Sequence, residues 1–236
     1  MRIAHVAPLA ESVPPKLYGG TERVVSWLTE ELVSLGHDVT LFATGDSVTS
    51  AQLVPVGQRA IRLTRPSPDP AIATAALLEA VAQASHGFDV IHSHLDWVHL
   101  PLLRCLQVPF LTTLHGRLDL PNIEVIGQRF PNAPFVSISK SQRTPVPQMN
   151  WMANIYHGLP LSLFSFTERS EEYLAFLGRI DPENNRPLES FGLRNGRQRH
   201  AGSVVPVEGG DSGLVAHGDR FLGRGWKLWP TPSRLS

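Results

Sequence analysis

Short apolar runs alternate with helical patterns along residues 1–160. Ile3 to Ala7 is an apolar run of strand length, and a loop rich in Pro and Gly follows from Pro8 to Gly20. Val24, Val25, Leu28, Leu32 and Leu35 then recur at the spacing of one helical face. Gly36 supplies the C-terminal stop, Gly20 or Thr21 can cap the start, and Glu22 in the first turn complements the helix dipole. Asp38 to Ala43, rich in β-formers, predicts a second strand. The alternation then repeats. Ala71 to Ala84 predicts a helix, Asp89 to His92 a strand, and Trp97 to Leu106 a short helix that Pro101 could open. Phe110 to Leu114 and Phe135 to Ile138 predict further strands, the last followed by a weak helix that must end before Pro145 or Pro147.

Strands alternating with helices predict an α/β fold, a Rossmann-like parallel sheet with right-handed crossovers and helices on both faces. This unit is assigned to residues 1–165. The chain turns linker-like from Leu161 to Glu172, and Tyr173 to Ile180 reads as a fresh buried strand entering a glycine turn, so 166–185 is read as a linker and the first strand of a second domain. After Asn185 the periodicity stops, and residues 186–236 read as an irregular basic tail rich in Gly and Arg.

Composition narrows the class. Apolar residues make up 42% of the 236 positions and the chain adds 19 glycines, the share of an ordinary globular protein, while charged residues reach only 18%. The net charge of zero describes no single surface. Residues 1–185 carry 13 basic and 17 acidic side chains, and residues 186–236 carry 8 and 4, so −4 is set against +4. The lone Cys105 excludes an internal disulfide framework and a cysteine-based zinc site. The longest apolar stretch, Ala71 to Ala82, is interrupted by Thr74 and Glu79 and falls short of the roughly 18 residues of a membrane span. The start is too short in apolar residues for a signal peptide, so a cytoplasmic protein is expected.

Four places carry candidate chemistry. Leu17-Tyr18-Gly19-Gly20-Thr21-Glu22 joins the first strand to the first helix, where free N–H groups and the positive dipole end suit a phosphate. Two glycines there let a ligand approach the main chain. The loop is neither a G-x-G-x-x-G fingerprint nor a P-loop, which weighs against a nicotinamide dehydrogenase and a P-loop NTPase. His92, His94, Asp96 and His99 suggest a metal constellation, since residues two apart on a strand share a face. They match no zinc spacing, so a polar pocket wall is the favoured reading and no metal is expected. His115 closes the strand Phe110–Leu114, at the end where parallel strands face a ligand, and could donate a hydrogen bond or work as an acid or base. Arg179 follows another strand and glycine, where its planar fork could pair with a diphosphate.

Over roughly residues 1–185 these pieces, in their order and spacing, resemble the family 4 retaining glycosyltransferases of GT-B fold. The resemblance rests on the opening strand, Gly19-Gly20-Thr21-Glu22, Asp89-Val90-Ile91-His92-Ser93-His94, Thr113-Leu114-His115-Gly116, Asn154-Ile155-Tyr156-His157-Gly158 and Phe176-Leu177-Gly178-Arg179-Ile180. Members have two Rossmann-like domains and move a sugar from a nucleotide-sugar donor to an acceptor with retention, usually without a metal. The resemblance implies that Gly19 and Gly20 lie near the donor diphosphate, that His115 contacts the transferred sugar, and that Arg179 neutralises phosphate charge. It implies a cleft or acceptor role for Thr21, Glu22, Ser93 and His94. It also implies no cofactor beyond the donor, and peripheral membrane association if the acceptor is a lipid.

The family's second phosphate cation, a lysine, is replaced by Asn184, and no segment resembles the family's pair of glutamates, eight positions apart deep in the second domain, that handles the donor ribose and sugar. With one strand of the second domain before the pattern dissolves, the chain is expected to be truncated and inactive alone. A reading-frame change near Asn184–Arg186 in a GC-rich gene would produce such a segment. The competing reading is a basic tail for an acidic partner. No nucleic acid is expected, because Trp226 and Trp229 sit together near the end without aromatic interleaving. The rival functions are a non-catalytic domain binding an acceptor sugar or partner subunit around Gly20, Ser93 and His115, and a nucleotide-dependent epimerase or dehydrogenase with an atypical phosphate loop.

Overall fold

The computed structural model describes residues 1–163 and the strands Tyr173–Leu177, Arg199–Ser203 and Trp226–Leu228. The chain divides into two units, residues 1–164 and 165–236. In the first, β1 (Arg2–Val6) leads through α1 (Gly20–Ser34) to β2 (Asp38–Ala43), then to β3 (Gln52–Pro55). Next come α2 (Pro70–Ala84), β4 (Val90–Ser93), α3 (Leu100–Leu103), β5 (Phe110–Leu114), α4 (Glu124–Arg129), β6 (Phe135–Ser137) and β7 (Trp151–Asn154). All seven strands are parallel in the order β3-β2-β1-β4-β5-β6-β7.

The alternation of each strand sorts its residues between two covering layers. Ala4, Val6, Phe42 and Ile91 pack with Leu77 and Val81 of α2. The opposite face of β2 contributes Leu41 and Ala43, which join Ala7, Val13 and Val25 of α1. A third cluster under β5 to β7 gathers Leu100, Leu114, Ile123, Phe135 and Met149. Sheets covered on both faces need continuous apolar strands, which is why the runs at 3–7 and 38–43 are so evident in the sequence.

Helix ends follow local chemistry. Asp69 caps α2 by accepting the Ala71 N–H at 2.7 Å, and Pro70 takes the first position, where its missing N–H costs nothing. Gly36 adopts φ 83 after α1, a left-handed turn that glycine tolerates. The cap expected of Gly20 or Thr21 falls one residue earlier. Gly19 is the N-cap of α1, and its carbonyl accepts the Arg23 N–H at 3.1 Å, with no side-chain cap. Three elements had no counterpart in the sequence reading: β3, α4 and β7. The weak helix after β6 is a short 3-10 turn, Ser141–Arg143.

In the second unit β8 (Tyr173–Leu177), β9 (Arg199–Ser203) and β10 (Trp226–Leu228) form a parallel sheet in the order β10-β9-β8. β8 begins where the fresh strand was expected. β9 and β10 are short strands within the segment read as irregular. Arg179 and Asn184 lie outside the described residues.

Candidate functional site

The strand order reverses at β1. The chain winds outward to β2 and β3, then returns to lay β4 on the other side. Ligands of open parallel sheets bind at the carboxyl ends of the strands flanking such a reversal. His5 of β1 stands opposite His92 of β4 in the parallel register. Counting in twos from this pair and from Leu111, the partner of His92 on β5, places His94, Thr113 and His115 on the same face. That is the face covered by α1, whose Thr29 hydroxyl lies 2.6 Å from His5 Nδ1.

Five imidazoles gather there. Ring centroids are 5.0 Å apart for His5 and His92, 4.3 Å for His92 and His94, and 4.7 Å for His5 and His94. His115 lies 5.0 Å from His94, and His157, just beyond β7, stacks on His115 at 5.1 Å. Nitrogen contacts run from ring to ring. His5 Nε2 meets His94 Nε2 at 2.8 Å, His94 Nδ1 meets His115 Nε2 at 2.8 Å, and His115 Nδ1 meets His157 Nε2 at 3.0 Å. His92 stands beside this series, with Nε2 2.8 Å from the Thr113 hydroxyl.

Burial makes a charged imidazole costly here, and neighbouring rings add repulsion. His5 and His94 are held well below the ordinary histidine value, His92 is lowered to about 4, His115 to about 3, and the more exposed His157 is also lowered. The cluster is therefore neutral at physiological pH. Two of the suggested metal ligands go elsewhere. His99 bonds the Thr112 hydroxyl at 2.7 Å, and the Asp96 carboxylate accepts the His115 backbone N–H, with burial raising its pKa.

Among the described residues, His5, His92 and His94 form a group whose ligand atoms lie within 4.8 Å of one another. Two nitrogens on one tetrahedral zinc, each bonded at 2.0–2.1 Å, sit about 3.3 Å apart. The 2.8 Å between His5 Nε2 and His94 Nε2 is instead a hydrogen-bond length.

The loop carrying His115 is fixed from below. Gln142 donates Nε2 hydrogen bonds to the carbonyls of Leu114 at 2.9 Å and Gly116 at 2.8 Å, while its Oε1 accepts the Ile138 N–H at 2.9 Å. At the start of α1, Gly19 is buried and Gly20 exposed. A Cβ on Gly19 would meet Pro15 Cβ at 2.7 Å and Glu22 Oε2 at 3.0 Å, whereas one on Gly20 would meet nothing within 4 Å. Thr21 is half-buried in the first turn. Glu22 is buried with its pKa raised by desolvation, despite bonds from its own N–H and that of Glu11. Ser93 is fully buried, and its hydroxyl accepts the Leu95 N–H at 3.3 Å.

Of the five clustered histidines, sequence reasoning singled out His92, His94 and His115. It missed His5, hidden in an apolar run, and Thr29 on a helix. His157 appeared within a motif but drew no role. The parity of β1 against β4 is the signal that could have placed His5.

A glycine loop opening a helix and a polar cluster at the reversal of a parallel sheet define a Rossmann-like domain. Residues 18–157 match the model of Glycosyltransferase Family 4, and the chain belongs to that family. No curated protein matches it. Among solved structures it resembles AviGT4, a glycosyltransferase involved in avilamycin A biosynthesis, at 22% identity and TM-score 0.55, over 86% of this chain and 56% of that one. It also resembles a sucrose-phosphate synthase from Thermosynechococcus elongatus, at 15% identity and TM-score 0.57, over 86% and 62%. A glycosyltransferase from Rickettsia africae is similar at 15% identity and TM-score 0.52, over 86% and 60%. These likenesses show a GT-B type fold, and the chain spans less than two thirds of each of those chains. Among the described residues no helix is long and apolar enough to cross a membrane.

Proposed function

We propose that the protein takes part in moving a sugar from a nucleotide-sugar donor to an acceptor, with retention of configuration and without a metal, in the cytoplasm. The observation supporting this reading is that the family match over residues 18–157 contains most of the polar cluster at the sheet's reversal point and the start of α1. Gly19 and Gly20 hold the amide end of a 15-residue helix, whose positive pole favours a diphosphate. His115 is assigned to the transferred sugar and Arg179 to the phosphate charge that develops as the nucleotide leaves. Thr21, Glu22, Ser93 and His94 are assigned to the cleft wall and acceptor side. An acceptor on a lipid would bring the protein to a membrane surface.

The chain spans about three fifths of the length of the glycosyltransferase chains it resembles. A second reading is a domain that binds an acceptor sugar or partner subunit without catalysis, supported by the engagement of both His115 ring nitrogens with His94 and His157. UDP-, GDP- and ADP-sugars added to the purified chain separate the two, with binding followed by calorimetry and hydrolysis by released nucleotide. Neither binding nor hydrolysis would leave only the second reading, and binding of a nicotinamide cofactor would turn the assignment toward an epimerase or dehydrogenase. For a donor that binds, His115→Ala is expected to weaken affinity about fivefold (~1 kcal/mol), through loss of the ring that His94 and His157 hold at the carboxyl end of β5.

A further inference from the structure

The contacts from Thr29 to His157 use every ring nitrogen of His5, His94 and His115 once. A neutral imidazole has one N–H and one lone pair, so each ring that donates on one side accepts on the other. The series therefore has two self-consistent arrangements, with all donors pointing outward toward His157 or all pointing inward toward Thr29.

Thr29 decides between them. Its side chain is fully buried, and its hydrogen bond to His5 is the one recorded for its hydroxyl among the described residues. Thr64 and Thr74 instead donate to the carbonyl four residues earlier. With all donors inward, His5 Nδ1–H would point at the Thr29 oxygen and leave a buried hydroxyl hydrogen without an acceptor. With all donors outward, the Thr29 O–H donates to His5 Nδ1 and every ring N–H from His5 to His115 meets an acceptor. At the other end both arrangements are equivalent, because His157 is an exposed residue and water can donate to its Nδ1 or accept from it.

We infer that Thr29, His5 and His94 are positioning residues that lock His115 and His157 as Nδ1–H tautomers, leaving His157 Nδ1–H as the outward hydrogen-bond donor of the series. Locked in this way, His115 holds no free lone pair and cannot act as a base while the series is intact. A hydroxyl on a covering helix thus sets the hydrogen-bonding character of a ring three imidazoles away. The inference stands apart from the transferase reading, because tautomers are read in the ligand-free protein.

Ring-nitrogen NMR on the uniformly 15N-labelled chain at neutral pH reads them directly. His94, His115 and His157 are expected as Nδ1–H, and His5 as Nε2–H. Nε2–H signals at His94 and His115 would overturn the inference without any variant. Thr29→Val, nearly isosteric, removes the donor and is expected to shift a measurable fraction of His115 and His157 toward Nε2–H, with Thr29→Ser restoring the original pattern. Unchanged tautomers in a folded Thr29→Val chain would remove Thr29 from the scheme. Stoichiometric Zn(II) that displaces the ring protons of His5 and His94 would replace the hydrogen-bonded series with a metal site.

Discussion

Two adjacent glycines at the start of α1 differ in what they permit. Gly19 is wedged against Pro15, so Gly19→Ala must push Cβ into a carbon 2.7 Å away and is expected to destabilise by about 1–3 kcal/mol. Gly20 opens onto free space within the helix, so Gly20→Ala is expected to leave stability unchanged or raise it by up to about 1 kcal/mol. Thermal melts of the two variants check the pair, and equal losses would contradict the packing. The sequence showed a Gly-Gly pair but not this division of labour, because the crowding comes from Pro15, four residues upstream in a loop without periodicity. The same limit applies to the site. His94 and His115 stand beside turn residues at strand ends, where a polar residue draws notice. His5 lies inside Ile3–Ala7, where it reads as one polar residue in a core strand, and Thr29 has no local mark at all.

At the scale of elements, long periodic segments were legible and short ones were not. α1, α2, β1, β2 and β5 carry enough apolar positions to show their period. β3 has four residues at the sheet edge, half-buried or exposed, and β7 is no longer, so neither presents a buried alternation. α4 has six residues with Gly127 inside, where an added Cβ would lie only 3.2 Å from Met149 Cγ, a tertiary reason for a residue that disfavours helix. Legible elements also owe their ends to single side chains. Asp69→Ala removes the cap of α2 and is expected to cost ~1 kcal/mol, read as a fall in melting temperature, while Asp69→Ser should recover most of it. A loss no larger than that of an exposed substitution on the same helix would argue against the cap.

For the whole molecule, the buried imidazoles couple folding to pH. Unfolded, each ring takes a proton near 6.5. Folded, His92 and His115 take theirs only near about 4 and about 3, and His5 and His94 are lowered as well. Between these limits the unfolded chain binds more protons, so stability is complete above about pH 6.5 and falls as pH drops toward 4. A single ring moved from 6.5 to about 4 corresponds to about 3 kcal/mol, so melting temperature is expected to drop steeply between pH 7 and pH 5. His92→Gln should flatten that slope, by up to about 1.4 kcal/mol per pH unit, and a melting temperature independent of pH would contradict the burial of the cluster. The cluster also has a history along the chain. His5 and His94 lie 89 positions apart, and His115 and His157 lie 42 apart. Contacts this distant in sequence are slow to form. The first strand must wait for β4 to be made before its histidine finds a partner, and the outermost ring joins only after residue 157 has been synthesised. During translation, the appearance of the imidazole series would therefore mark a sheet already assembled across its full width.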